Sequence, residues 1–63
     1  MKSILNSRVA IVRALASGRA VWCAETGEGW QCELGCSLNH ARRIVRWIFI
    51  LTGENKTFFT MGD

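Results

Sequence analysis

The sequence predicts an α+β fold: a helix, a β-hairpin, a second helix and a short strand, with the helices packed on a small antiparallel sheet. Two segments have apolar residues at helical spacing, and each starts at a cap residue and ends at a glycine. Between them, two short runs rich in Val, Trp and Cys flank a Thr-Gly-Glu-Gly turn, which is typical of a hairpin. The chain has 63 residues, so we expect one small domain over residues 1–63.

The first helix is predicted in the segment NSRVAIVRALASG. Asn6 or Ser7 supplies the N-cap, because a short side-chain oxygen accepts a hydrogen bond from the free amides of the first turn. Gly18 ends the helix, since glycine adopts the left-handed conformation without steric cost. Ile11 lies off the main stripe and predicts a second apolar surface. The stripe expected to face the core comprises Leu5, Val9, Val12, Leu15 and Ala16.

The hairpin is predicted in AVWCAETGEGWQCEL. Its turn sets three expected cross-strand pairs: Glu25 with Trp30, Cys23 with Cys32, and Val21 with Leu34. Because side chains alternate along a strand, one face is expected to be buried. That face comprises Val21, Cys23, Trp30, Cys32 and Leu34. Trp22 points to the opposite face with Gln31 and Glu33, where an exposed aromatic ring is typical of an interface anchor.

The second helix is predicted in SLNHARRIVRWIFILTG, with Ser37 as its N-cap and Gly53 as its stop. The alternative is that WIFIL, residues 47–51, is a β-strand followed by a turn at TGEN. As a helix, this run is apolar nearly all round, which an isolated surface helix avoids. We therefore expect a homodimer. The core stripe comprises Leu38, Ala41, Val45 and Ile48.

The last element is predicted as a short edge strand in KTFFTM. It alternates poorly, because Phe58 and Phe59 are adjacent and one ring must point away from the core. With the hairpin, this strand gives a predicted sheet of three strands.

Composition and charge restrict the class of protein. Hydrophobic residues make up 49% of the chain, which is too apolar for an intrinsically disordered protein. The formal net charge of +3 permits contact with nucleic acid or with an acidic protein surface. The start of the chain does not resemble a secretion signal, and no apolar run reaches the ~20 residues that span a membrane. An odd number of cysteines argues against a secreted disulfide framework, so we expect a cytoplasmic protein without membrane contact.

The cysteines and the single histidine follow a regular order. Cys23, Cys32, Cys36 and His40 are separated by eight, three and three residues. This order resembles the Cys-Cys-Cys-His zinc fingers that often bind single-stranded RNA, although the middle spacer is shorter than in that family. The resemblance implies a zinc ion held by these four side chains. The alternatives are a Cys23–Cys32 disulfide and plain core cysteines, and we favour the core with no cofactor, because free cysteine is among the most buried residue types.

The function predicted from these features is a small non-enzymatic regulatory or inhibitory binding protein of the kind found in phages and mobile elements. No catalytic residues are expected, because Cys36 and His40 lack an orienting acid and a cleft. The partner is expected to be a protein with an acidic surface. The alternatives are a dimeric nucleic-acid-binding regulator and a zinc-finger-like module. The predicted binding residues are Trp22, Arg42, Arg43, Arg46 and Trp47.

Overall fold

The computed structural model describes residues 1–62 and contains two helices and a four-stranded antiparallel sheet, which confirms the predicted α+β class. The sheet has the strand order β1-β4-β2-β3. In chain order the elements are β1 (Lys2–Leu5), α1 (Arg8–Ala16), β2 (Val21–Cys23), β3 (Gly29–Trp30), α2 (Leu38–Thr52) and β4 (Phe58–Met61).

The sheet contains two overlapping split β-α-β units, in each of which two parallel strands joined by a helix lie on either side of an antiparallel strand. β1 and β2 are both antiparallel to β4, so they run parallel to each other on either side of it and are joined by α1. By the same reasoning β3 and β4 flank β2 and are joined by α2. The prediction of an edge strand in KTFFTM was therefore wrong, because the unpredicted strand β1 covers the outer side of β4.

The core lies between the sheet and the helices, with Leu15, Val21 and Ile48 almost completely buried. In α1 the buried arc runs from Ala14 through Ile11 and Leu15 to Val12, because this helix contacts both the sheet and α2. The prediction of a core position was wrong for two residues, since Val9 is 59% exposed and Leu38 is 50% exposed. Leu5 belongs to β1 rather than to the helical stripe. Three predicted core residues of α2 are buried, namely Ala41, Val45 and Ile48.

Both helices have the predicted serine caps. The Ser7 hydroxyl accepts a hydrogen bond from the Ala10 amide at 3.2 Å, and the Ser37 hydroxyl accepts one from the His40 amide at 3.1 Å. Gly53 ends α2 with φ +90°, a conformation that favours glycine. Residues 47–51 are helical, so the alternative of a strand in WIFIL was wrong.

The register of the hairpin differs from the prediction. Val21 pairs with Trp30 instead of Leu34, and Cys23 is not opposite Cys32. Because the shift is an even number of residues, the paired residues keep their predicted faces, so Val21 and Cys23 are buried and Trp30 is half-buried. Leu34 is fully exposed, because β3 ends at Trp30 and the chain then leaves the sheet.

The segment after β3 turns back to the end of α1. The Gln31 side-chain amide donates a hydrogen bond to the Gly18 carbonyl at 2.9 Å, and the Cys36 amide donates to the Ala16 carbonyl at 3.1 Å. A Cβ atom at Gly35 would lie 2.6 Å from the Ala16 carbonyl oxygen, and Gly35 has φ +79°, so both contact and conformation require glycine. This docking places the start of α2 beside the end of α1.

Candidate functional site

The two helices are antiparallel neighbours, and a groove runs between them on the side away from the sheet. Arg8 at the start of α1 contacts Glu54 just beyond the end of α2, whereas the Cys36 amide ahead of α2 contacts the end of α1. The groove has a volume of about 770 Å³. We call it the interhelical groove; its lining comprises Arg8, Val9, Val12, Arg13, Leu38, Arg42, Val45, Arg46, Phe49, Ile50 and Glu54.

The floor of the interhelical groove is apolar and its walls are mixed. Val12 and Val45 are buried and Phe49 is half-buried, so these side chains form the bottom. Positions four residues apart project from the same side of a helix, which aligns the two walls. One wall is the row Val9 and Arg13 on α1, and the other is the row Arg42, Arg46 and Ile50 on α2.

At one end of the groove the charges are paired. Arg8 Nη2 lies 2.9 Å from Glu54 Oε1, and the Arg8 guanidinium lies 4.5 Å from the centroid of the Phe49 ring. Both charged side chains are mostly exposed, so the ion pair adds little stability. It nevertheless holds Arg8 over Phe49 and balances its charge. A smaller recess of about 240 Å³ adjoins this end beneath the start of α1, and Lys56 lines it.

The other half of the groove carries unbalanced positive charge. Arg13, Arg42 and Arg46 are exposed there, and within residues 1–62 Arg8–Glu54 is the one ion pair, so these three guanidinium groups have no carboxylate partner. Arg42 Nη1 donates a hydrogen bond to Asn39 Oδ1 at 3.2 Å, which is a neutral acceptor. We call Arg13, Arg42 and Arg46 the basic half of the groove.

The structure separates the predicted binding residues into three places. Arg42 and Arg46 line the interhelical groove. Arg43 and Trp47 are exposed on α2 outside the groove. Trp22 lies on the face of the sheet opposite to Val21 and Cys23, away from the helices, so the structure does not bring its ring to the arginines.

Trp22 has a packing partner that the sequence prediction did not identify. It pairs across the sheet with Gly29, and a Cβ atom on Gly29 would lie 2.4 Å from Trp22 Cε3, so the ring rests directly on the glycine backbone. On its other side Trp22 pairs with Phe59 of β4. Lys2 Nζ lies 4.2 Å from the centroid of the Phe59 ring. Trp22 is 38% exposed, and its ring contributes to the packing of the sheet.

The favoured placement of the cysteines in the core applies to Cys23 fully and to Cys32 and Cys36 in part. Cys23 is buried in the core, whereas Cys32 and Cys36 are half-buried in the segment ahead of α2, and all three are free thiols. The Cys36 thiol donates to the Leu15 carbonyl at 3.9 Å. Burial raises the pKa of Cys36, and the neighbouring Cys32 thiol raises it further. Within residues 1–62, no group of three or more His, Cys, Asp and Glu side chains is arranged to hold a metal ion.

No protein-family model matches the chain, and comparisons with curated proteins and with solved structures give no significant match. Neither helix of the described residues is long and apolar enough to cross a bilayer.

Two of the eleven residues that line the groove were predicted from the sequence as binding residues. Arg42 and Arg46 were predicted as binding residues, but Val9 and Ile50 were not. The signal for the missing residues was the pair of rows with four-residue spacing, each of which combines one exposed apolar residue with arginine. Only the antiparallel contact of α1 and α2 shows that the two rows face each other across one groove.

Proposed function

We propose that this protein is a non-enzymatic binding protein with a regulatory or inhibitory role, which holds an acidic and partly apolar segment of another protein in the interhelical groove. One observation carries the proposal: the groove combines an apolar floor with three arginines that have no carboxylate partner within residues 1–62. Protein interfaces combine an apolar centre with a polar rim, and arginine is among the residues that dominate their binding energy.

The apolar surface of the groove favours a partner that covers it. Val9, Leu38 and Ile50 are each at least half exposed, and all three line the groove. Removing such surface from water is worth roughly 25 cal/mol per Å² before the costs of association are subtracted. A bound segment with apolar side chains would gain this free energy, whereas a fully polar segment would not.

The arginines favour carboxylates in the same segment. A guanidinium group forms two parallel hydrogen bonds to a carboxylate and is more weakly hydrated than the ammonium group of lysine. Arg13, Arg42 and Arg46 lie beside apolar side chains, where an ion pair with a partner is less screened than on an open surface. The net charge of +3 would also attract an acidic partner at long range.

The apolar floor also favours a protein partner over a nucleic acid. Contacts to a phosphate backbone use cationic groups and need no apolar groove between them. A backbone-binding surface would leave Val9, Phe49 and Ile50 uncovered. The groove is therefore better matched to a peptide segment than to phosphates, and the salt dependence of binding separates the two.

The proposal is tested with a displayed library of random peptides of about 16 residues, which as helices would be ~24 Å long and close to the 27 Å longest extent of the molecule. We expect selected peptides to contain both acidic and large apolar residues. Arg42→Glu or Arg46→Glu should weaken their binding about tenfold, equivalent to ~1.4 kcal/mol. Arg43→Glu is the matched control, because Arg43 is on the same helix but does not line the groove.

All three positions are exposed, so we expect the three variants to fold. Thermal melts check this. Peptides whose affinity falls equally for Arg43→Glu and Arg46→Glu would contradict a groove site. Affinity for a random single-stranded oligonucleotide that exceeds peptide affinity and falls steeply with salt would replace the proposal with a nucleic-acid-binding function.

A homodimer remains a separate prediction. Trp47 is 62% exposed and Leu51 is 70% exposed, four residues apart on the side of α2 outside the groove. Light scattering at micromolar concentration should give twice the mass of the chain, and Trp47→Glu should give a monomer that still binds peptides in the groove. A monomer at millimolar concentration would contradict the prediction.

A further inference from the structure

The interhelical groove differs in charge between its two ends, and this difference restricts what its partner can be. At one end Glu54 balances Arg8, so a carboxylate of a partner would meet an existing carboxylate there. The basic half offers Arg13, Arg42 and Arg46 without an acid among the groove residues that lie beside them. Apolar side chains line both ends, with Phe49 near the Arg8–Glu54 pair and Leu38 at the start of α2.

The backbone of the groove walls has no free hydrogen-bonding groups along its middle. Both walls are α-helices, in which each amide and carbonyl is paired within the helix except at the ends. An extended partner lying over the apolar floor would leave its own amides and carbonyls without partners, which costs free energy. A helical partner pairs these groups internally, and its side-chain ridges fit between two rows with four-residue spacing.

From these two observations we infer that the partner segment is an amphipathic α-helix that binds in one orientation, with its carboxylates clustered over the basic half of the groove and an apolar stripe along its whole length. This inference rests on the proposed function and adds the conformation and the charge pattern of the partner. Arg42 and Ile50 are eight residues apart on α2, which corresponds to ~12 Å, or about two helical turns of the bound segment.

Glu54 is the residue that sets the orientation. It lies beyond the end of α2 and contacts Arg8 rather than any arginine of the basic half. Its carboxylate therefore repels acidic residues of a partner at this end. It also forms an ion pair with the Arg8 guanidinium, which would otherwise attract them. Replacing Glu54 by glutamine keeps a hydrogen-bond acceptor near Arg8 and removes the negative charge, so both ends of the groove become cationic.

The first experiment uses peptides selected on the wild-type protein and counter-selected on the Arg42→Glu, Arg46→Glu double variant. We expect Asp and Glu to fall in one half of each peptide and apolar residues to recur at three- and four-residue spacing. A nitroxide label on the acidic half of the best peptide should broaden the NMR signals of Arg13 and Arg42. The same label on the other half should broaden those of Ile50 and Gly53.

The second experiment compares two peptides. The first has carboxylates only in the half that lies over the basic half of the groove. The second has the same sequence with additional carboxylates in the half that lies near Glu54. Wild-type protein should prefer the first peptide. Glu54→Gln should raise the affinity for the second peptide about threefold to fivefold, an effect typical of one exposed charge pair, and leave the affinity for the first within twofold. Glu33→Gln is the control, since this acid lies outside the groove.

The outcomes distinguish the two proposals. If no peptide depends on Arg42 and Arg46, the proposed function is wrong and the inference falls with it. If peptides depend on these arginines but their acids are evenly distributed, or Glu54→Gln changes both affinities equally, the groove binds peptides without a fixed orientation and only the inference is overturned. Selected peptides with alternating apolar residues that stay extended when bound would overturn the helical conformation.

Discussion

The open face of the sheet and the interhelical groove both expose large apolar side chains beside cations, but they differ in whether these groups already have partners. On the sheet, Trp22 lies on Gly29 and Lys2 lies over the Phe59 ring. In the groove, two arginines of the basic half have no hydrogen bond to a side chain in residues 1–62, and Arg42 has only a neutral one. An exposed ring is therefore weaker evidence for binding than a charge without a partner next to an apolar floor.

The largest expected difference is between the two phenylalanines of β4. Phe58 is 3% exposed and its ring contacts Phe49 edge to face, with centroids 5.3 Å apart, so it connects the sheet to α2. Phe58→Ala should cost about 3–5 kcal/mol of the free energy of unfolding. A domain of this length has a total stability of roughly 3–9 kcal/mol, so this loss should remove a third or more of it and lower the urea midpoint markedly, measured by circular dichroism at 25 °C.

Phe59→Ala is the control for this prediction, because Phe59 is the next residue and points to the open face of the sheet. Its loss should cost less than about 2 kcal/mol and leave a cooperative urea transition. Equal losses for the two variants would mean that the open face contributes as much packing as the helix-covered face.

The second expected difference is between two exposed tryptophans. Trp22→Ala removes the ring that covers Gly29 and should destabilise the fold by about 1–3 kcal/mol, measured by urea unfolding. Trp47→Ala should change the monomer's free energy of unfolding by no more than about 0.5 kcal/mol, since Trp47 is 62% exposed. Peptide binding in the groove should be unchanged in folded Trp22→Ala protein. A binding loss without destabilisation would restore Trp22 as an interface anchor.

The smallest expected effect concerns pH. The Thr57 amide donates a hydrogen bond to Glu25 Oε1 at 2.7 Å, and this bond lowers the pKa of Glu25 below its ordinary value. The folded state therefore prefers the ionised carboxylate, and the resulting stabilisation is present above the unfolded pKa and is lost as pH falls through the folded pKa. The melting temperature should fall more between pH 6 and pH 3 in wild type than in Glu25→Gln.

Glu25 is far from the basic half of the groove along the fold, because it lies in the hairpin loop and contacts the segment ahead of β4. Peptide affinity at neutral pH should therefore be the same for Glu25→Gln and wild type. A change in affinity would show that the hairpin and the groove are energetically coupled. An identical pH dependence of the two melting temperatures would show that this hydrogen bond does not contribute to stability.

The elements that depend on local sequence were predictable, and those that depend on distant contacts were not. Ser7, Ser37 and Gly53 fix the helix ends through contacts within a few residues, so the helices could be placed from sequence. β1 is a strand because β4 pairs with it, and its four residues KSIL carry no strong strand pattern. The edge position predicted for β4 was wrong for the same reason.

The candidate site shows the same division. The arginines of α2 were identified because they cluster within one helix. The hairpin register was not, because it depends on Trp22 lying opposite Gly29 and on the later residues leaving to meet α1. Trp22 was grouped with Arg42 and Arg46 although it lies on the face of the sheet away from the helices. No local sequence pattern shows which face of the sheet the helices cover.

The position of β4 has a consequence for the order in which the chain acquires its structure. β4 follows the other described strands along the chain, lies between β1 and β2 and pairs with both, and the β1–β4 pairs join residues as far apart as Lys2 and Met61. Until β4 leaves the ribosome, β1 has no neighbour and the β2–β3 hairpin is alone, and an isolated hairpin of this size is marginal in water. The sheet is therefore completed only once β4 has emerged, when β1 and β4 close a long loop in one late step.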